Sequence, residues 1–261
     1  MVKKFSCIRS KFVKVAATCL LIIFYFSGCS KTDYRTGLAA INAANDKITG
    51  SSGRDLLTSV NFRQMNIEIQ YMTGFAPDVA SLNNLTTFLN SLINKPGGIA
   101  ISQKEIPAGN KASYTINDIA GIEQKNRTSF TSANQLGVYV LITDGAYSDA
   151  SALGVAYRNT SLCLFGKTIF DNSSSIGQLS RTQLESAVAE HEFGHLLGLV
   201  DLGTPMLTKH KDDGHGRHCN VKNCLMYYAT ETSDFFGLVV TGNIPALDAQ
   251  CLADLHANGG K

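Results

Sequence analysis

Residues 191 to 195 read His-Glu-Phe-Gly-His, and no other stretch limits the fold of this chain so strongly. Two histidines four apart stand one above the other on one side of an α-helix. Both imidazoles can then reach a single Zn2+ at ~2.0–2.1 Å, but only if the backbone around them is helical. The flanking residues agree. Ser180 followed by Gln183 forms a capping box, Leu184 and Val188 share the face of His191 and His195, and Gly198 falls where a helix ends in a C-terminal cap. The spacing predicts a helix over 180–198. Glu192 is rotated off the ligand face but stays beside the ion. There its carboxylate can take a proton from a bound water, whose pKa the ion lowers toward ~7, and pass it to a leaving amine.

A catalytic zinc site keeps three protein ligands. Gly198 lets the chain turn sharply, so a third donor can return to the pair. Asp201 comes three residues later, and His218 seventeen residues after that. His210 and His215 lie between them and read as solvated loop histidines.

The run from His191 through Gly198 to Asp201 resembles the signature of the metzincin zinc peptidases, His-Glu-x-x-His-x-x-Gly-x-x-His/Asp with a later Met-turn. His218-Cys219, four residues, then Cys224-Leu225-Met226 resembles the block that follows the motif helix in archaemetzincins. The resemblance implies zinc held by His191, His195 and a third ligand, with Glu192 as general base and Met226 as the floor of the Met-turn. It also implies that Tyr228 meets the metal or the oxyanion, where a phenol can donate a hydrogen bond. Asp201 stands where the signature puts its third ligand, as in the snapalysin type. His218 is favoured because the Cys and Met spacing follows it. Asp201 would then orient a ligating histidine. Archaemetzincins also carry a later Cys-x-x-Cys that completes a structural zinc site. Here only Cys251 lies in that region, and a four-cysteine site would need Cys163.

The N-terminus reads as an export signal. Five of the 23 Lys and Arg lie in the first fourteen residues, ahead of an apolar run from Val15 to Phe26 and then Ser27-Gly28-Cys29. Twelve residues suit a signal h-region better than a membrane span. The ending resembles a bacterial lipobox, which implies a signal peptide over 1–28 and a lipid anchor at Cys29. With Ser30 next, the expected address is the outer membrane or cell surface. Without that segment 18 basic residues face 21 acidic ones, so no nucleic-acid footprint is present. Residues 29–55, rich in Ser, Thr, Gly, Ala and Asn, read as a tether with a short helix around Leu38 to Ile48. Residues 56–261 form the expected catalytic domain. In an oxidising compartment Cys163, Cys219, Cys224 and Cys251 are expected as two disulfides, Cys219 with Cys224 being one pairing.

Alternation of apolar and polar residues predicts a strand at Met65 to Tyr71, and short strands are expected at Ile99 to Ile106, at Val138 to Ile142, closed by Thr143-Asp144-Gly145, at Leu153 to Tyr157 and at Leu162 to Phe165. Helices are expected from Pro77-Asp78 to Leu92, stopped by Pro96-Gly97-Gly98, at Ile116 to Lys125, and at Pro245 to His256. The expected fold class is α/β (α+β). A twisted, mostly parallel mixed sheet and two helices stand above the motif helix, with a small irregular C-terminal part below. By resemblance, Leu153 to Tyr157 is the edge strand along which peptide binds. The expected activity is zinc-dependent hydrolysis of peptide bonds. The rivals are a non-catalytic zinc-containing lipoprotein that binds a peptide or partner, and a metal-storage protein built on His210 to His218.

Overall fold

The computed structural model describes residues 43–149, 152–173, 179–232 and 244–261. The export signal, Cys29 and the first part of the tether lie outside the described residues. Among the described residues no helix is long and apolar enough to cross a membrane.

Helix α1 (Gly53–Leu57) leads into strand β1 (Gln64–Met72). Helix α2 (Val79–Leu92) and strand β2 (Ile99–Ile106) follow, then the short β3 (Ser113–Tyr114) and α3 (Ile116–Asn126). Next come β4 (Gln135–Ile142), β5 (Ala146–Tyr147), β6 (Gly154–Arg158) and β7 (Ser161–Leu164). Helices α4 (Gly166–Asp171), α5 (Arg181–Leu196) and α6 (Ala249–Ala257) complete the described elements, with a 3-10 turn at Tyr228–Glu231.

The main sheet has the order β2-β1-β4-β7-β6. Its first three pairings are parallel, and β6 runs antiparallel to β7 at the edge. A parallel sheet needs cover on both faces, and β1 shows how the sequence supplies it. Met65, Ile67 and Ile69 point into the core shared with α2 and α5. Glu68 and Gln70, on the opposite face, are buried too. Glu68 accepts hydrogen bonds from the Thr128 and Ser129 amides, and Gln70 accepts one from the Tyr139 hydroxyl. Their polar alternation therefore marks a face bonded to a loop rather than one open to water. A second apolar cluster on that side contains Tyr114, Ile119, Tyr139, Phe165 and Cys163. Glu123 of α3 ties this layer to the edge. It pairs with buried Arg127 at 2.6 Å and accepts from Arg158 of β6 and Ser161 of β7.

The tether reading fails for the described residues 43–55. Asn45 is 3% exposed and donates to the Gly137 carbonyl and to Thr160, while its amide oxygen accepts from the Thr131 backbone. Gly53 packs so close to the Leu197 carbonyl that a Cβ would collide with it. The composition looked like a linker, but Asn45 and Thr49 satisfy backbone groups of β4, of Thr131 and of β6.

Candidate metal centre

Helix α5 carries the motif and is held at both ends. The Ser180 and Gln183 side chains cap each other's backbone, as the capping box requires. The Glu185 carboxylate accepts from the Asp78 amide and the Ser81 hydroxyl, which fixes α5 against the start of α2. From Leu184 to Leu196 every residue is buried. The Gly of the motif has a packing reason, since a Cβ on Gly194 would run into the sulfur of Met226. Met226 therefore sits directly against the motif helix, as a Met-turn floor would.

At the C-terminal end Gly198 takes φ +83° and the chain reverses. Val200 and Asp201 also adopt positive φ, which is rare for a β-branched residue. Thr204 secures the turn by donating to the Leu197 carbonyl at 2.6 Å and, from its amide, to Gly198. This path leaves Asp201 exposed and outside the cluster. The geometry thus sets the favoured His218, not Asp201, beside the helix pair, and gives Asp201 no orienting bond to a histidine.

His191, His195, His218 and Glu231 each bring one donor atom, all within 4.8 Å of one another. His191 Nε2 and His195 Nε2 are 3.1 Å apart. Donors on a tetrahedral zinc shell of ~2.05 Å radius are separated by about 3.3 Å. Two of the three tautomers follow from the outer nitrogens. His191 Nδ1 donates to the Leu225 carbonyl at 2.7 Å, and His218 Nδ1 donates to the His215 carbonyl at 2.7 Å. A carbonyl can only accept, so each Nδ1 carries the proton, and it is Nε2 of each ring that faces inward and can offer a lone pair in the neutral form. Burial pulls the His195 pKa down to about 4, which keeps that ring neutral.

Glu192 is fully buried, and neither carboxylate oxygen has a hydrogen-bond partner. Burial, then the nearby charge of Glu231, pushes its pKa well above the usual carboxylate range. The carboxylate lies against Gly154 of β6, where a Cβ would stand 2.8 Å from Oε1. Imidazole nitrogens converging from three sides, with an unpaired carboxylate beside them, fit a divalent metal ion and a bound water. A cleft of about 280 Å3 opens onto the cluster, lined by Thr49, Val155, Ala156, Glu192, His195, Leu202, Arg217, His218 and Glu231. The edge strand β6 thus forms one wall of it.

The Tyr228 ring stacks on His215 at 3.6 Å between centroids and 3° between planes, and among the described residues no hydrogen bond or ring stacking links it to His191, His195 or His218. The 3-10 turn that begins at Tyr228 delivers Glu231 instead, a residue the sequence reading did not single out. Nothing flagged it, since it lies five residues beyond Met226 in a stretch without periodicity.

A second cluster joins His210, Cys219, Asp248 and Cys251. Cys224 Sγ lies 3.7 Å from Cys251 Sγ, and His210 Nδ1 lies 3.4 Å from Cys219 Sγ. The His210 Nε2 bonds to Asp254 at 2.7 Å. Two expectations are corrected here. His210 is 0% exposed rather than a solvated loop histidine, because the loop folds down onto α6. The four cysteines are free thiols, not two disulfides. Cys163 is in the apolar cluster beneath α3, whereas Cys219 and Cys251 approach His210 Nδ1 and Cys224 lies against Cys251. Hydrogen bonds from Cys219 and Cys251 pull the Cys224 thiol down to about 4, and the same contacts push Cys251 up. His210, Cys219, Asp248 and Cys251, with Cys224 beside them, can bind a second ion.

No protein-family model and no curated protein matches the sequence. Among solved structures, archaemetzincin from Methanopyrus kandleri superposes with a TM-score of 0.50 at 12% identity, over 75% of this chain and 96% of that one. The chain has an archaemetzincin-like metallopeptidase fold. Metalloproteinase-II from Bacteroides fragilis is also 12% identical, with a TM-score of 0.42, and the alignment covers 77% of this chain and 55% of that chain.

Proposed function

We propose that the protein is a zinc-dependent endopeptidase. The observation that carries this reading is the fully buried Glu192 carboxylate, unpaired at both oxygens, beside three imidazoles whose donor nitrogens converge. A buried unpaired carboxylate costs at least about 1–3 kcal/mol, a cost a purely structural site has no reason to carry. His191, His195 and His218 would hold the ion. Zinc in that place supplies a Lewis acid for a peptide carbonyl and an acidified water.

The residues of the chain do the rest. Glu192 accepts the proton from the attacking water and returns it to the leaving amine; burial, which raises its pKa, favours its holding that proton between the two steps. β6, the last strand of the sheet, can pair with the backbone of an extended peptide and draw it past Glu192. The His210, Cys219, Cys224 and Cys251 cluster would hold a structural zinc that fixes the segment bearing His218. In the same reading Cys29 takes a lipid anchor and the domain faces a substrate peptide or protein in the cell envelope.

The test is hydrolysis of a library of internally quenched peptides. Zinc-loaded protein should cleave a subset of them, a chelator should stop cleavage, and Glu192→Gln should be inactive while retaining its zinc. Undiminished cleavage by Glu192→Gln would refute the mechanism.

A further inference from the structure

The carboxylate of Glu231 has no place in that mechanism, yet it lies inside the donor cluster. Its Oε1 is 3.1 Å from His218 Nε2, and its Oε2 is 3.5 Å from His191 Nε2 and 3.8 Å from His195 Nε2. These separations bracket the spacing of about 3.3 Å between donors that share one zinc. A carboxylate that merely orients a ligating histidine bonds to the outer nitrogen of the ring. Here the outer nitrogens of His191 and His218 are already bonded to backbone carbonyls, and Glu231 faces the inner ones. Its closest approach, to His218 Nε2, also lacks hydrogen-bond alignment, since that nitrogen has no hydrogen-bond partner. Close contact without alignment is the arrangement of two donors aimed at a common third atom.

The backbone holds Glu231 in position. Its carbonyl accepts from the Leu153 amide at 2.7 Å, and Thr232 bridges Ala152, so the 3-10 turn is bound to the residues that lead into β6. Whatever docks along β6 meets the same strap.

We propose that Glu231 is a built-in fourth metal donor that closes the histidine site in the resting protein and must leave it before a substrate or water can enter. The chain would thus carry its own latch. The proposal rests on the metallopeptidase reading, because it needs a metal at His191, His195 and His218.

The test loads the full chain with zinc in the thiolate cluster and cobalt(II) at the histidines. It compares wild type with Glu231→Gln and Glu231→Asp, the shorter acid that cannot reach as far. Acetohydroxamate, a small chelator of open sites, is titrated against the cobalt absorption bands. In both variants its Kd should fall at least about tenfold, and the cobalt affinity of the site should weaken by a similar factor. Equal acetohydroxamate and cobalt affinities in all three proteins would overturn the latch. A readout on wild type alone guards against variants that do not fold. In 17O-enriched water the cobalt EPR signal should stay unbroadened because no water is bound, and broadening in the wild type would overturn the proposal. Failure of the wild type to take cobalt at the histidines would instead remove the metallopeptidase reading itself.

Discussion

One peptide bond separates His218 from Cys219, yet the two residues serve clusters of opposite character. In the thiol cluster every carboxylate is occupied. Asp254 bonds to His210 and to the Leu207 amide, and Asp248 bonds to Cys219 and to the Cys251 amide. Its donors His210, Cys219, Cys224 and Cys251 are all buried. The histidine cluster keeps Glu192 unpaired at both oxygens, leaves His195 Nδ1 without a partner, and opens onto a cleft. A site that only braces the fold gains from satisfying every polar atom. A site that performs chemistry retains unsatisfied groups where a reactant will stand. On the proposed function, the difference fits a catalytic role for the histidine cluster and a bracing role for the thiol cluster.

Substitutions can break this contrast. The largest effect is expected from Glu192→Gln, which should lower kcat by about 10^2–10^4 with no loss of Tm, since it removes a buried carboxylate and leaves the ligands in place. Thermal unfolding with metal analysis checks both parts. Next, Cys224→Ser or Cys251→Ser should cost about 3–4 kcal/mol, or roughly 6–16 °C in Tm, measured by calorimetry. His191→Ala, on the catalytic side, should lower Tm far less than either. Gly194→Ala presses a methyl group against Met226 and should cost about 1–2 kcal/mol, again read by calorimetry. Tyr228→Phe should be the mildest, changing kcat/KM by less than about threefold, because its ring stacks on His215 rather than facing the donors. A loss of a hundredfold there would restore the oxyanion role that the resemblance implied.

Much of the fold was legible because it is local. The capping box of α5, the period of α2 and the alternation of β1 each lie within one short window, and the observed elements begin and end within a few residues of the expected positions. His191, Glu192 and His195 were legible for the same reason, being one turn of one helix. Two of the failures are long-range. His210 becomes a donor only because Asp254, 44 residues on, bonds to its far nitrogen. Glu231 enters the histidine cluster through a strap bonded to Leu153, 78 residues earlier. Asp201 fits the motif spacing but is turned outward by positive φ at Gly198 and Val200, and nothing in the spacing shows that turn.

Zinc per chain, determined by elemental analysis of the folded protein, tests the central claim most directly, with His218→Ala and Asp201→Ala beside the wild type. The account predicts two zinc ions in the wild type, two in Asp201→Ala, and one in His218→Ala. Loss of zinc in Asp201→Ala with His218→Ala unchanged, or a wild type that holds no zinc at the histidines, would contradict it.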